Sequence, residues 1–163
     1  MQFACGFRSR LTALDSGAGI FLWRAKNPDV FAVPDEHREQ VFGKIAGQYD
    51  NDISVSEDLA GITALRKTLL ASATGTVLEV GAGTGRNVGA YPAACSFVVL
   101  SDNSAPMLEV CARKVRIMKQ DKRMAMAQFS SSAIPCAAAS FNTVVSTFTF
   151  ALSSFFCTRF SIF

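Results

Sequence analysis

The chain has 163 residues, half of them apolar, and a formal charge of +3. That length holds one domain and one core rather than two, the apolar fraction excludes disorder by composition, and so small a charge does not by itself call for a nucleic-acid partner. Cys5, Cys95, Cys111, Cys136 and Cys157 are odd in number and form no C-x-x-C pair, which argues against a disulfide framework or zinc site and for reduced, mostly buried thiols in an intracellular protein.

Residues 1–34 show no clean period and are punctuated by Gly17, Gly19, Pro28 and Pro34, so they read as a tail or loop. Met1 to Leu14 carries Arg8 and Arg10 with no acid before Asp15. A mitochondrial presequence has this composition, and so do chance stretches, which leaves cytoplasmic and mitochondrial placement both open. Asp35 then opens a helical pattern in which Val41, Ile45 and Tyr49 share a face, and Asp50–Ser54 breaks it. Ser56 is the expected N-cap of a second helix, with Glu57 and Asp58 in its first turn. Its apolar stripe is Leu59, Ile62, Leu65 and Leu69, with Arg66 and Lys67 facing away.

Thr76-Val77-Leu78-Glu79-Val80 reads as a buried strand, and Gly81-Ala82-Gly83-Thr84-Gly85 as a tight turn. Arg86 to Gly89 is expected to open a short helix that Pro92 ends. A second strand, Phe97–Leu100, closes on Ser101 and Asp102. Ser104 is the expected cap of a helix over Ala105 to about Lys119, with a stripe of Leu108, Cys111, Val115 and Met118. Ala125–Phe129 is a weaker strand, Ile134-Pro135 a loop, and Phe141–Phe148 a fourth strand. Strands alternating with helices predict βαβ units and an α/β fold with a parallel sheet.

A strand followed by Gly-x-Gly-x-Gly is a ligand-binding arrangement, because glycine permits the sharp bend and the close approach of backbone to ligand. A helix behind it would offer free N–H groups to a carboxylate or phosphate. Arg86-Asn87 stand where a P-loop needs Lys-Ser/Thr, and Arg86 stands where a dinucleotide fingerprint needs its third glycine. Glu79 would repel a pyrophosphate and suits a ligand that carries positive charge. S-adenosylmethionine combines a carboxylate with an ammonium and a sulfonium. Asp102, at the end of the neighbouring strand, is placed to accept both ribose hydroxyls, or else merely starts the turn before Ser104.

Four segments in order carry a family resemblance. Val77 to Asn87 resembles motif I of class I S-adenosylmethionine-dependent methyltransferases, and Asp102-Asn103-Ser104-Ala105-Pro106-Met107-Leu108 resembles their D-x-S-x-x-M-L segment. Ile134-Pro135 with Ser140-Phe141-Asn142-Thr143-Val144-Val145 resembles the L-P-F … S-F-D-x-V-V stretch. Phe42, Ile45-Ala46 and Tyr49-Asp50 resemble the F-x-x-I-A-x-x-Y-D helix of the ubiquinone/menaquinone methyltransferase-like (type 11) branch. The resemblance implies a Rossmann-like parallel sheet with flanking helices, about four of the family's usual seven strands being present, and S-adenosyl-L-methionine as cofactor. It implies a cofactor site of Tyr49, Glu79, Gly81, Ala82, Gly83, Thr84, Gly85, Asp102, Asn103, Met107, Ser130 and Ser131. Tyr49 would fold over the methionine end, unless it is a core aromatic, and Ser130 or Ser131 would touch the adenine amino group. The family usually has an acid near 130 or 131 and an Asp where Asn142 stands; both departures are expected to weaken the cofactor's hold.

The implied organisation is a tail or targeting segment over 1–34, a partial methyltransferase domain over 35–150 and an atypical tail over 151–163, as in a truncated product. Two functions follow as expectations: methyl transfer to an unidentified acceptor, or an inactive remnant that binds the cofactor weakly or serves only as an interaction module. Met124 to Thr158 is free of charge and long enough to span a bilayer, but Pro135, Asn142 and many Ser and Thr favour a short buried strand over a membrane helix. Arg113, Lys114, Arg116, Lys119, Lys122 and Arg123 form a basic cluster without interleaved aromatics, diluted by Glu109 and Asp121, and read as a solvated helix face rather than an RNA site. His37, the single histidine, is assigned no catalytic role, and no metal site is expected.

Overall fold

The structure, a computed structural model, describes residues 35–137 and 139–147. The expectations for 1–34 and 151–163, and for Phe148 at the end of the fourth strand, lie outside these residues. Among the described residues three helices, α1 (Asp35–Ile45), α2 (Tyr49–Leu59) and α3 (Ile62–Leu70), precede β1 (Gly75–Val80). Then come β2 (Cys95–Asp102), α4 (Ala105–Ile117), β3 (Met124–Gln128) and β4 (Thr143–Val145). The four strands form one parallel sheet in the order β3-β2-β1-β4.

β1 is central and its last four residues are all buried, which is why it reads as a near-continuous apolar run rather than an alternating one. Two apolar clusters lie on its two faces. On one, Val77, Val98, Leu100, Met124 and Val145 meet Leu70 of α3, Cys111 and Val115 of α4, and Ala82, Val88 and Tyr91 of the β1–β2 connection. On the other, Leu78 and Val80 meet Val99 and Val144, covered by Phe129, Ile134 and Phe141 from the β3–β4 connection.

Several local expectations are corrected. The helix break falls at Ala46–Gln48, so Tyr49 opens α2 instead of closing α1, and Ser56 lies inside α2. The second break is at Gly61, whose φ of +70° suits glycine. The inward face of α3 is Arg66 and Leu70, at 8% and 0% exposure, while Leu59 and Leu65 are 85% and 46% exposed. Of the expected stripe, Ile62 and Leu69 are half-buried beside that face, Leu59 closes α2 and Leu65 points outward, while Arg66 finds polar partners inward. Residues 83–90 form consecutive turns and no helix: Gly85, Val88 and Ala90 N–H groups donate to Ala82, Gly85 and Asn87 carbonyls, three residues back in each case.

Along α4, Leu108, Cys111 and Val115 are buried as expected, but Met118 lies past the helix end and is exposed. Ser104 does stand at the N-cap, yet its hydroxyl makes no cap bond and is buried without a partner; Asp102 Oδ1 accepts the Ser104 N–H instead, at 2.9 Å. Cys95 and Cys111 are buried free thiols, whereas Cys136 is exposed. Among the described residues no helix is long and apolar enough to cross a membrane, and no three metal-ligating side chains cluster.

Candidate functional site

The parallel order brings the C-terminal ends of all four strands to one edge of the sheet. Because β1 is flanked by β2 on one side and β4 on the other, the strand order reverses there, and in open parallel sheets ligands bind at the C-terminal edge beside that reversal. The glycine turn leaves β1 at this point. Gly81, Gly83 and Gly85 have φ of +72°, +54° and +77°, a run that side chains on L-residues would strain.

The turn and the acid at the end of β2 meet directly. The Gly83 N–H donates to Asp102 Oδ2 at 2.9 Å, and the Ala82 N–H donates to the Ser101 carbonyl at 2.8 Å. Burial raises the Asp102 carboxyl, and the Ser104, Gly83 and Asn103 N–H groups only partly offset it. Even with these donors an ionised carboxylate keeps acceptor capacity for a hydroxyl pair. A Cβ at Gly83 would meet nothing within 4 Å, so the bend has open space beside its second glycine. A Cβ at Gly85 would lie 2.7 Å from Cys111 Sγ, so the third glycine is needed for packing the turn onto α4. Burial pushes that thiol up to about 12, consistent with a packing role.

The remaining expected residues surround this junction unevenly. Ser130 and Ser131 follow β3, whose Gln128 pairs with Asp102, and the Phe129 N–H donates to the Asp102 carbonyl at 3.1 Å. Both serines are half-buried, and Ser130 Oγ lies 2.8 Å from Ser132 Oγ. Asn103 is half-buried, with its carbonyl taken by Gln128 Nε2, and Met107 is buried in the first turn of α4. Tyr49 is half-buried with its ring edge-on to Phe42, centroids 6.3 Å apart; burial and the Glu57 charge raise its hydroxyl.

Glu79 is placed on the buried side of the turn. It is 1% exposed, Oε1 accepts from Asn87 Nδ2 at 2.7 Å, and Oε2 accepts from the Tyr91 hydroxyl at 2.6 Å. Burial raises its carboxyl to about 7. Asn142, expected to affect the ligand, lies at the opposite end of the sheet. Its Oδ1 accepts the Thr76 N–H and hydroxyl, both at 2.8 Å, so an amide there ties the start of β1 to β4.

Sequence reasoning missed a chain of charges that joins α2 to the turn. Asp50 accepts from Thr84 Oγ1 at 2.6 Å and from Lys114 Nζ at 2.7 Å. Glu57 accepts from Arg66 and, through two nitrogens, from Arg86, at 2.7, 2.7 and 3.1 Å. Arg66 continues inward to Asn87 Oδ1 at 3.2 Å and Thr147 Oγ1 at 3.1 Å. The only available signal was Asp50 itself, beside Tyr49 in the quoted motif; the spacing of α3 hid Arg66.

Residues 77–156 match the family model described as a methyltransferase domain. The fold is similar to that of a Methanococcus maripaludis protein provisionally described as an S-adenosyl-L-methionine-dependent methyltransferase, at 19% identity and a TM-score of 0.56, over 66% of this chain and 51% of that one. An S-adenosylmethionine-dependent methyltransferase from Aquifex aeolicus matches at 24% identity and a TM-score of 0.42, over 49% of this chain and 44% of that one. The chain thus spans about half the length of these structures. At this identity the likeness establishes the architecture: a Rossmann-like α/β fold of the kind used by methyltransferases.

Proposed function

We propose that the C-terminal edge of the sheet binds S-adenosyl-L-methionine and that the chain transfers its methyl group to a nucleophilic acceptor. The observation that carries this reading is the 2.9 Å bond between the Gly83 N–H and Asp102 Oδ2, which brings the glycine bend and the strand-end acid to one point. The residues present fit the cofactor: open space at Gly83, a carboxylate with acceptor capacity for the ribose, and hydroxyls at Ser130 and Ser131 one strand further on for the adenine edge. With consecutive turns in place of a helix, the methionine carboxylate is met by loop N–H groups rather than a helix terminus. Glu79 is buried beneath the turn, with one oxygen on Asn87 and the other on Tyr91, and in this reading it holds those two side chains rather than touching the ammonium.

When bound, the cofactor supplies an electrophilic methyl carbon on a sulfonium; the acceptor's lone pair forms the new bond while the carbon–sulfur pair returns to sulfur as a neutral thioether. Such a displacement asks the protein for alignment and exclusion of water rather than for a dedicated base. The type 11 branch is our finer assignment, supported by the placement of Tyr49-Asp50 at the turn through the Asp50–Thr84 bond. A nucleic-acid acceptor is not part of the proposal, since Lys114 spends its charge on Asp50 and Arg123 donates to the Pro92 and Cys95 carbonyls. Isothermal titration with S-adenosyl-L-methionine tests the reading: saturable one-to-one binding is expected, and none in protein shown by circular dichroism to be folded would overturn it.

A further inference from the structure

α2 is held to the fold mainly through polar and charged side chains. None of its 11 residues is buried, and Val55 and Leu59 are 69% and 85% exposed. Its bonds to the body of the fold are polar and charged. Asp50 joins Thr84 and Lys114, Glu57 joins Arg66 and Arg86, and Ser54 Oγ accepts from Arg86 at 2.8 Å. Thr84 and Arg86 belong to the run of turns that begins at the glycine bend, so the helix grips the site itself. Both ends of α2 carry glycines with no atom within 4 Å of a built Cβ, Gly47 in the preceding turn and Gly61 in the following one. A segment with few buried apolar contacts opens at lower cost than the core.

We infer that α2 is an electrostatically latched strap over the glycine turn, which lifts as a unit between Gly47 and Gly61 when the Asp50 and Glu57 pairs are screened or neutralised, while the sheet stays intact. What the strap regulates, access of the cofactor to the turn, rests on the function proposed above; the latch itself does not. The screening length shortens from about 10 Å at 0.1 M salt to about 3 Å at 1 M, so half-buried pairs such as these weaken without disappearing. The groups facing the two carboxylates are Lys114 from α4, Arg66 from α3, and Thr84 and Arg86 from the turn, so neutralising the two acids removes the ion pairs that tie α2 to these elements.

Hydrogen exchange of the full chain without ligand tests this. In the double variant Asp50→Asn, Glu57→Gln, amides within α2 should exchange roughly tenfold faster, with those of Val77–Val80 and Val98–Leu100 changed less than about twofold. The unaltered chain in about 1 M NaCl should show the same pattern in weaker form, which keeps the test decisive if the variant folds poorly. Unchanged protection of α2 in both experiments overturns the latch. So does equal acceleration in the sheet, which would make the pairs ordinary contributors to global stability. Failure of cofactor binding by titration, with α2 exchange behaving as described, would instead remove the proposed function and leave the latch standing.

Discussion

Replacing Glu79 by Gln probes the buried end of the charge chain. Burial lifts this carboxyl to about 7 from a usual 4.5, against the hydrogen bonds from Tyr91 and Asn87 and the charge of Arg66. Between those two values the folded chain holds a proton that the unfolded chain has released, so raising the pH favours unfolding. The contribution of this group is full below pH 4.5 and is lost as pH climbs through about 7. At ~1.4 kcal/mol per pH unit the interval amounts to about 3 kcal/mol, a sizeable share of a small domain's stability. Gln preserves the shape: its carbonyl accepts from Asn87 Nδ2 and its amide donates to the Tyr91 oxygen, with nothing to ionise. Urea unfolding of both proteins from pH 4.5 to about pH 8 isolates the effect, because the other titrating groups cancel in the difference. The unaltered chain should lose about 3 kcal/mol relative to E79Q across that interval. A difference independent of pH would show that Glu79 is ionised when folded, held by Arg66, and would refute the reasoning.

Asp102→Ala removes the carboxylate to which the proposed function assigns the ribose hydroxyls and should weaken S-adenosyl-L-methionine binding by about 1.5–3 kcal/mol, read as a rise in Kd by titration. Gly85→Ala combines a φ of +77° with a 2.7 Å approach to Cys111 Sγ and should lower the unfolding free energy by more than about 1 kcal/mol, measured by urea denaturation. Asn142→Ala removes the acceptor of the exposed Thr76 N–H and should cost about 0.5–1.5 kcal/mol of stability in the same assay while leaving cofactor affinity unchanged, since it sits at the far end of the sheet. Acidification should loosen α2 only below the usual carboxylate range. Burial raises Asp50 and Glu57, but Lys114 and Thr84 on one, and Arg66 and Arg86 on the other, outweigh it and hold both carboxyls low. The stability they add is therefore present above their unfolded values and lost as pH falls through the lowered ones, which exchange at graded pH will reveal.

The sheet was legible because its signal is local. Val77–Val80 and Val98–Leu100 are short apolar runs bounded by turn residues, and the glycines and Asp102 sit at strand ends where spacing alone places them. What periodicity missed depends on partners distant in the chain. Arg66 turns inward because Glu57, Asn87 and Thr147 await it, and no count of apolar residues on α3 contains that fact. Glu79 looked like a ligand for positive charge; its burial follows from Tyr91 and Asn87, which the turn carries beneath it. The turns over 83–90 replace the expected helix because each of the three bonds reaches back three residues, a choice that the letters Arg86–Gly89 do not disclose.

The meeting of Gly85 with Cys111 makes an atom of α4 the floor on which the glycine bend rests. Position 111 thereby sets a height. A smaller oxygen in place of sulfur would let the bend sink, and a branched side chain would lift it, in either case sliding the Gly83 amide relative to the aspartate that it meets. Variants at 111 would change affinity from beneath, through the level of the backbone, without ever coming into contact with what is bound.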